Sequence, residues 1–130
     1  AAGQFLRPSL VIDADPSLSV VKDEQFGPTL PVIAYDSESD AISMANDSDY
    51  GLSSSVWSAD SARALGVARQ LEAGFTNINA HGPTAMDGLS PFGGVKQSGI
   101  GRNFGPDGVR QFQETHSISG QSGQIFQQGR

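Results

Sequence analysis

Thr29-Leu30-Pro31-Val32-Ile33-Ala34-Tyr35, followed by Ser37-Glu38-Ser39-Asp40, decides how this chain reads. The first run is apolar and partly β-branched, which suits a strand. Pro31 has no N–H to give a ladder, so it places the run at a strand start or on a sheet edge. The second run sets a hydroxyl three positions ahead of a carboxylate, the pattern of a helix N-terminus. Ala41, Ile42 and Ala45 then form the inward stripe of that helix, and Gly51 is expected to close it.

The same alternation continues along the chain. Leu52 to Trp57 reads as the next strand, with Trp57 expected in the core. Asp60 suits the cap of a helix whose Ala64, Leu65, Ala68 and Leu71 recur at helical spacing, and which is expected to end at Gly74. Phe75-Thr76-Asn77-Ile78-Asn79 is a third strand. Strands and helices alternating through short links predict an α/β fold, a three-layer parallel βαβ sheet. Ligands of such sheets collect beyond the carboxyl ends of the strands. That directs attention past Asn79, where Ala80 to Gly105 shows no periodicity, and a loop of that length in a compact domain is usually functional.

Composition removes several functions. The chain has 130 residues with 8 basic and 14 acidic side chains, a net charge of −6 and a pI near 4.6. No basic stripe exists to hold a phosphate backbone, so nucleic acid is not an expected partner. No apolar run approaches the roughly 18 residues of a membrane span, and a membrane partner is not expected either. No leader of basic, apolar and small residues is visible, and a cytoplasmic location is expected. The absence of Cys removes disulfides, thiolate metal sites and any thiol nucleophile within this stretch. The sequence opens Ala1-Ala2-Gly3-Gln4-Phe5 without Met, as a trimmed chain or a piece of a longer polypeptide would. At this mass, folding is expected to hide roughly two-thirds of the unfolded surface, enough for one core.

Some patterns are decoys. Pro91 to Arg102 is dense in glycine, but Ile100 and Gly101 follow Gly99 where a phosphate loop needs Lys and Ser or Thr. A dinucleotide fingerprint begun at Gly99 and Gly101 meets Phe104 at its last position, and no strand leads into it. These glycines are expected to serve turns and close backbone approach. His81 and His116 lack ligand spacing, so no metal is expected. Asn46-Asp47-Ser48 matches a glycosylation sequon by chance.

One signal is of another kind. Lys22-Asp23-Glu24-Gln25-Phe26-Gly27-Pro28-Thr29-Leu30-Pro31-Val32 resembles the acidic-acidic-x-Phe-Gly-Pro segment of NAD(P)-dependent aldehyde dehydrogenases. Four further blocks resemble the same family in the same order. They are Ala45 to Leu52, Ala73-Gly74 with Asn77 to Asn79, Pro91-Phe92-Gly93-Gly94-Val95-Lys96, and Gln97-Ser98-Gly99-Ile100-Gly101-Arg102. The likeness runs from about Gly3 to Gly120.

The resemblance implies the C-terminal part of a catalytic domain over residues 1–114. It further implies a strand over 115–120 that joins subunits into a homodimer or homotetramer; the Gln, Gly and Ser content of the last residues separately predicts a flexible tail over 121–130. Family chemistry begins with a Cys thiolate attacking an aldehyde; hydride passes from the hemithioacetal to nicotinamide, and a Glu-activated water hydrolyses the thioester. Both catalytic groups and the cofactor fold would lie upstream, so no residue of this chain is expected to be catalytic. NAD or NADP would be the cofactor, and the remaining catalytic and cofactor domains would be its partners.

The resemblance gives this chain positioning roles. Glu24 falls on a ribose-binding carboxylate, whose two oxygens can accept from adjacent hydroxyls. Phe26 falls on an aromatic beside the nicotinamide, although a Phe before a turn also suits plain packing. Phe92 matches an aromatic of the aldehyde tunnel, and His81, Met86 and Leu89 are the bulky candidates for its wall. Relatives carry an acid after Gly-Arg; Asn103 stands here, and a neutral amide cannot relay protons. An aldehyde oxidised to a carboxylate is the expected reaction. A CoA-acylating product shares these motifs, and the isolated piece would be a non-catalytic folding or oligomerisation module.

Overall fold

The computed structural model describes residues 3–120. Two parallel strand pairs form its frame. Ser9–Ile12 (β1) runs beside Thr29–Val32 (β2), with Ser9 opposite Thr29 and Ile12 opposite Val32. One helical turn, Ser19–Lys22 (α1), lies between them in sequence. Ser53–Val56 (β4) runs beside Phe75–Ile78 (β5), with Ser53 opposite Phe75 and Val56 opposite Ile78. Helix Ser61–Ala68 (α3) connects and packs on this second pair. It turns its one deeply buried side chain, Ala64, inward.

The two local helix signals are realised atom by atom. Glu38–Asn46 (α2) starts at Ser37, whose Oγ accepts from the Asp40 N–H at 3.1 Å. Asp60 Oδ1 accepts from the N–H groups of Ala62 and Arg63 at 2.9 and 3.0 Å, satisfying two donors that α3 cannot pair internally. An ion pair of 2.6 Å from Arg63 to Glu38 ties the two helix starts together.

The predicted single three-layer sheet is corrected. β2 takes β1 as its partner, and a third, antiparallel pair is formed by Tyr50–Gly51 (β3) and Val95–Lys96 (β6). The chain arriving from α2 is thus committed to β6 just before it enters β4. Strand pairing depends on contacts far apart in sequence, which periodicity does not encode.

Gly51 is corrected with it. It does not close α2, which ends at Asn46; it sits buried in β3, where a Cβ would stand 2.6 Å from the Glu72 carbonyl and 2.7 Å from Val95 Cγ2. Helix α3 likewise ends at Ala68 rather than Gly74. Gly74 instead lies against the backbone of Gly93, whose oxygen would be 1.7 Å from an added Cβ.

The remaining short elements are a 3-10 turn at Pro83–Ala85 and helix Gly105–Arg110 (α4). Within the single chain, residues 115–120 form no strand and pair with no other described segment. The predicted tail, 121–130, lies outside the described residues. The expected core is also corrected: among the described residues, Ala14 and Ala64 are the only buried apolar side chains, and Trp57 is 65 % exposed. The described helices include none long and apolar enough to cross a membrane.

Candidate functional site

Glu24 lies on the irregular link between α1 and β2. This link is moored at one end. Lys22 Nζ donates to the Asp47 carboxylate at 2.6 Å and to the Asp47 carbonyl at 3.2 Å, just beyond the C-terminus of α2. Lys22, first by hydrogen bond and then by charge, holds the Asp47 carboxyl below the usual carboxylate range. Lys96 Nζ donates to the carbonyls of Asn46 and Ser48 at 2.7 and 3.0 Å. Two ammonium groups therefore meet the negative end of one helix, the favourable sense of the helix dipole.

The carboxylate of Glu24 opens onto a cavity of about 380 Å³ between the end of α2 and the β3–β4 stretch. It takes part in no ion pair among the described residues. Asn46 shapes the opposite wall: its amide nitrogen donates to the Gln70 carbonyl, and its oxygen accepts from the Glu72 N–H, each at 2.8 Å. Phe26 does not line this cavity and is 95 % exposed.

A second cavity, about 150 Å³, gathers His81, Met86 and Phe92 with Phe75 and Asn77 of β5. Asn79 ends β5 in a left-handed conformation (φ 52°). Its amide brackets the Ser58 backbone, accepting from N–H and donating to C=O at 2.8 Å each. This joins the carboxyl ends of β4 and β5, and the chain then turns at Gly82 into Pro83–Ala85. Leu89 is not part of this cavity; it is 80 % exposed. The reason is local: Asp87 accepts from the Leu89 N–H at 3.0 Å and the Ser90 hydroxyl at 2.8 Å. Those bonds, the backbone one foremost, lower the Asp87 pKa and close a turn with Leu89 on its outside.

Phe92 is held on both flanks. Its N–H and C=O exchange hydrogen bonds with Asn103 at 2.8 and 2.7 Å. Its ring meets Phe75 edge-on, centroids 5.5 Å apart. Asn103 also accepts from Gln111 Nε2 at 3.2 Å, so its side chain is a structural acceptor here. Phe75 and Asn77 were not singled out by sequence reasoning; they stand two apart on β5 and so share one face, a signal that was available. Ser53, at the start of β4, lines both cavities. No group of three or more His, Cys, Asp or Glu among the described residues could hold a metal ion.

An acidic group and an aromatic pocket thus open on one strand start, carried by the motifs that resemble aldehyde dehydrogenases. The model of the aldehyde dehydrogenase family matches residues 1–118. The chain belongs to the aldehyde dehydrogenase family. It is 41 % identical over 116 residues to geranial dehydrogenase of Castellaniella defragrans, covering 89 % of this chain and 24 % of that protein. A Mycobacterium tuberculosis aldehyde dehydrogenase complexed with NAD+ shares its fold with a TM-score of 0.80 at 44 % identity, over 85 % of this chain and 22 % of the other. A mutant aldehyde dehydrogenase C of Pseudomonas syringae, in complex with NAD+ and octanal, gives a TM-score of 0.83 at 37 % identity, over 89 % and 23 %. The chain spans about a quarter of the length of the curated relatives it matches.

Proposed function

We propose that this chain is the C-terminal part of the catalytic domain of a cytoplasmic NAD(P)-dependent aldehyde dehydrogenase that converts an aldehyde to a carboxylate. This chain has no Cys to serve as the thiol nucleophile, and the family resemblance assigns that thiol and the general base to the preceding part of the polypeptide. Residues 1–114 complete the catalytic domain, 115–120 add a strand across a homodimer or homotetramer contact, and 121–130 form the tail. The observation that carries the reading is the carboxylate of Glu24, free of ion pairs among the described residues, on a cavity that shares Ser53 with the pocket of His81, Met86 and Phe92.

The residues fit a dinucleotide. A carboxylate free of ion pairs offers two acceptor oxygens to the adjacent hydroxyls of a ribose. Phe26, exposed beside it in sequence, offers an apolar face for the nicotinamide end. When bound, the cofactor supplies the hydride acceptor. This chain's part is orientation: Glu24 fixes one end of the coenzyme, and the aromatic pocket excludes water and aligns the aldehyde, which lowers the barrier by proximity. Leu89, directed outward, belongs to this wall only where the rest of the protein closes over it.

The test is Glu24→Gln in the full-length enzyme, read as single-turnover formation of reduced cofactor. The amide loses the charge and one acceptor oxygen, and the expected slowing is about tenfold, equivalent to ~1.4 kcal/mol. An unchanged rate refutes the assignment. The 130-residue chain alone serves as the control and is expected to produce no reduced cofactor, acting only as a folding or oligomerisation module.

A further inference from the structure

Phe104 combines two features that no role described so far requires. Its backbone lies at φ 63° and ψ 162°, a combination that crowds any residue with a Cβ and is essentially reserved for Gly. Its ring sits 6.4 Å from that of Phe92, yet it does not line the pocket to which Phe92 and Phe75 contribute. The three rings form a row, Phe75 to Phe92 to Phe104, with only the first two facing the cavity.

The backbone on either side of Phe104 explains how the strained conformation is held. Asn103 is bound to Phe92 by both backbone hydrogen bonds. Gly105 presses on the other wall of the loop: its N–H donates to the Gly88 carbonyl at 3.3 Å, and an added Cβ would lie 2.4 Å from the Leu89 carbonyl. Phe104 is thus fixed between a residue bonded to Phe92 and one bonded to Gly88, and its carbonyl accepts from the Gly108 N–H at 3.0 Å as α4 begins. Backbone strain persists only where its surroundings over-determine it.

We propose that Phe104 is a positioning residue: it braces the Phe92 ring from behind and so sets the girth of aldehyde that the pocket accepts. This inference rests on the substrate-pocket reading above. With the brace removed, Phe92 can lean into the vacated space and the pocket widens, favouring bulky aldehydes over short ones.

In the full-length enzyme, kcat/KM is measured for benzaldehyde and acetaldehyde, together with the Kd for NAD. Phe104→Leu is expected to raise the benzaldehyde-to-acetaldehyde ratio about tenfold, the scale of a small change in pocket shape, with the Kd for NAD unchanged. Phe104→Tyr keeps the ring and is expected to leave the ratio as it is. Phe104→Met keeps bulk without the ring and replaces the Leu variant if that one fails to fold. A ratio unmoved in both Leu and Met variants, or moved equally by Tyr, overturns the brace. Phe92→Ala separates the two readings. If it shifts the ratio while Phe104→Leu does not, the brace alone is wrong. If Phe92→Ala leaves the ratio untouched, the pocket assignment falls, and the brace with it.

Discussion

The two parallel strand pairs are built alike and buried differently. β4 and β5 carry Ser, Thr and Asn between their apolar residues, and all but the first residue of β4 are at least partly covered. Helix α3 lies on them, Ala64 is all but inaccessible, and Ser54 and Thr76 share a hydrogen bond of 2.8 Å across the pair. β1 and β2 are the more apolar pair, with Leu10, Val11, Ile12, Leu30 and Val32. Yet Leu10 is 64 % and Leu30 59 % exposed, and the helix packed on β2 is the single turn α1. The more hydrophobic pair is the less buried one. A surface of this kind marks an interface, which agrees with a chain spanning a quarter of its relatives. The polar pair is covered within the chain, whereas the apolar pair leaves much of its surface open.

The contrast can be broken first at Gly74, where β5 begins. A Cβ there meets the Gly93 carbonyl at 1.7 Å, and backbone cannot turn aside as a side chain can. Gly74→Ala is expected to cost about 3 kcal/mol, the upper range for overpacking, seen as a large fall in the thermal midpoint. A midpoint close to the parent's would show that the β5–loop contact is slack.

A sharper test sits on the other pair. Leu30→Ser should cost about 2 kcal/mol in a longer protein that covers this face. In the 130-residue chain alone it should change stability by less than ~0.5 kcal/mol and should reduce self-association in sedimentation. Equal losses in both contexts would mean that β2 is already covered within this chain. The smallest effect is expected at Asp60, whose carboxylate caps α3. Asp60→Ala should cost about 1 kcal/mol, read by urea titration, and by the same amount in both contexts, since the cap is complete within the chain.

What could be read in advance follows from how local each signal is. The Ser37 and Asp60 caps involve atoms three residues apart or fewer, and they stand where the sequence places them. β4 and β5 fall within one residue of the expected strands. Gly51, by contrast, is explained by Val95 and Glu72, far along the chain, and looked like a helix stop because nothing nearby contradicted it. Trp57 was expected inside on residue type alone, although a large ring at a strand end has no neighbour to cover it here. The partner of β2 was hidden for the same reason: β1 is a short run whose significance appears only on pairing.

The site divides likewise. His81, Met86 and Phe92 converge because β5 and the loop after it form one wall, whereas the outward turn of Leu89 depends on the carboxylate of Asp87. Phe104 was invisible in advance, since neither its backbone angles nor its neighbour across the loop has a signature in residue order.

The contact of Gly74 with Gly93 has a consequence for how relatives diverge. It pins the base of the 80–105 excursion independently of what lies inside it, so side chains there can be exchanged while the frame stays in register. On the proposed pocket, transplanting residues 80–90 between relatives is expected to move the kcat/KM ratio between aldehydes while leaving the thermal midpoint in place.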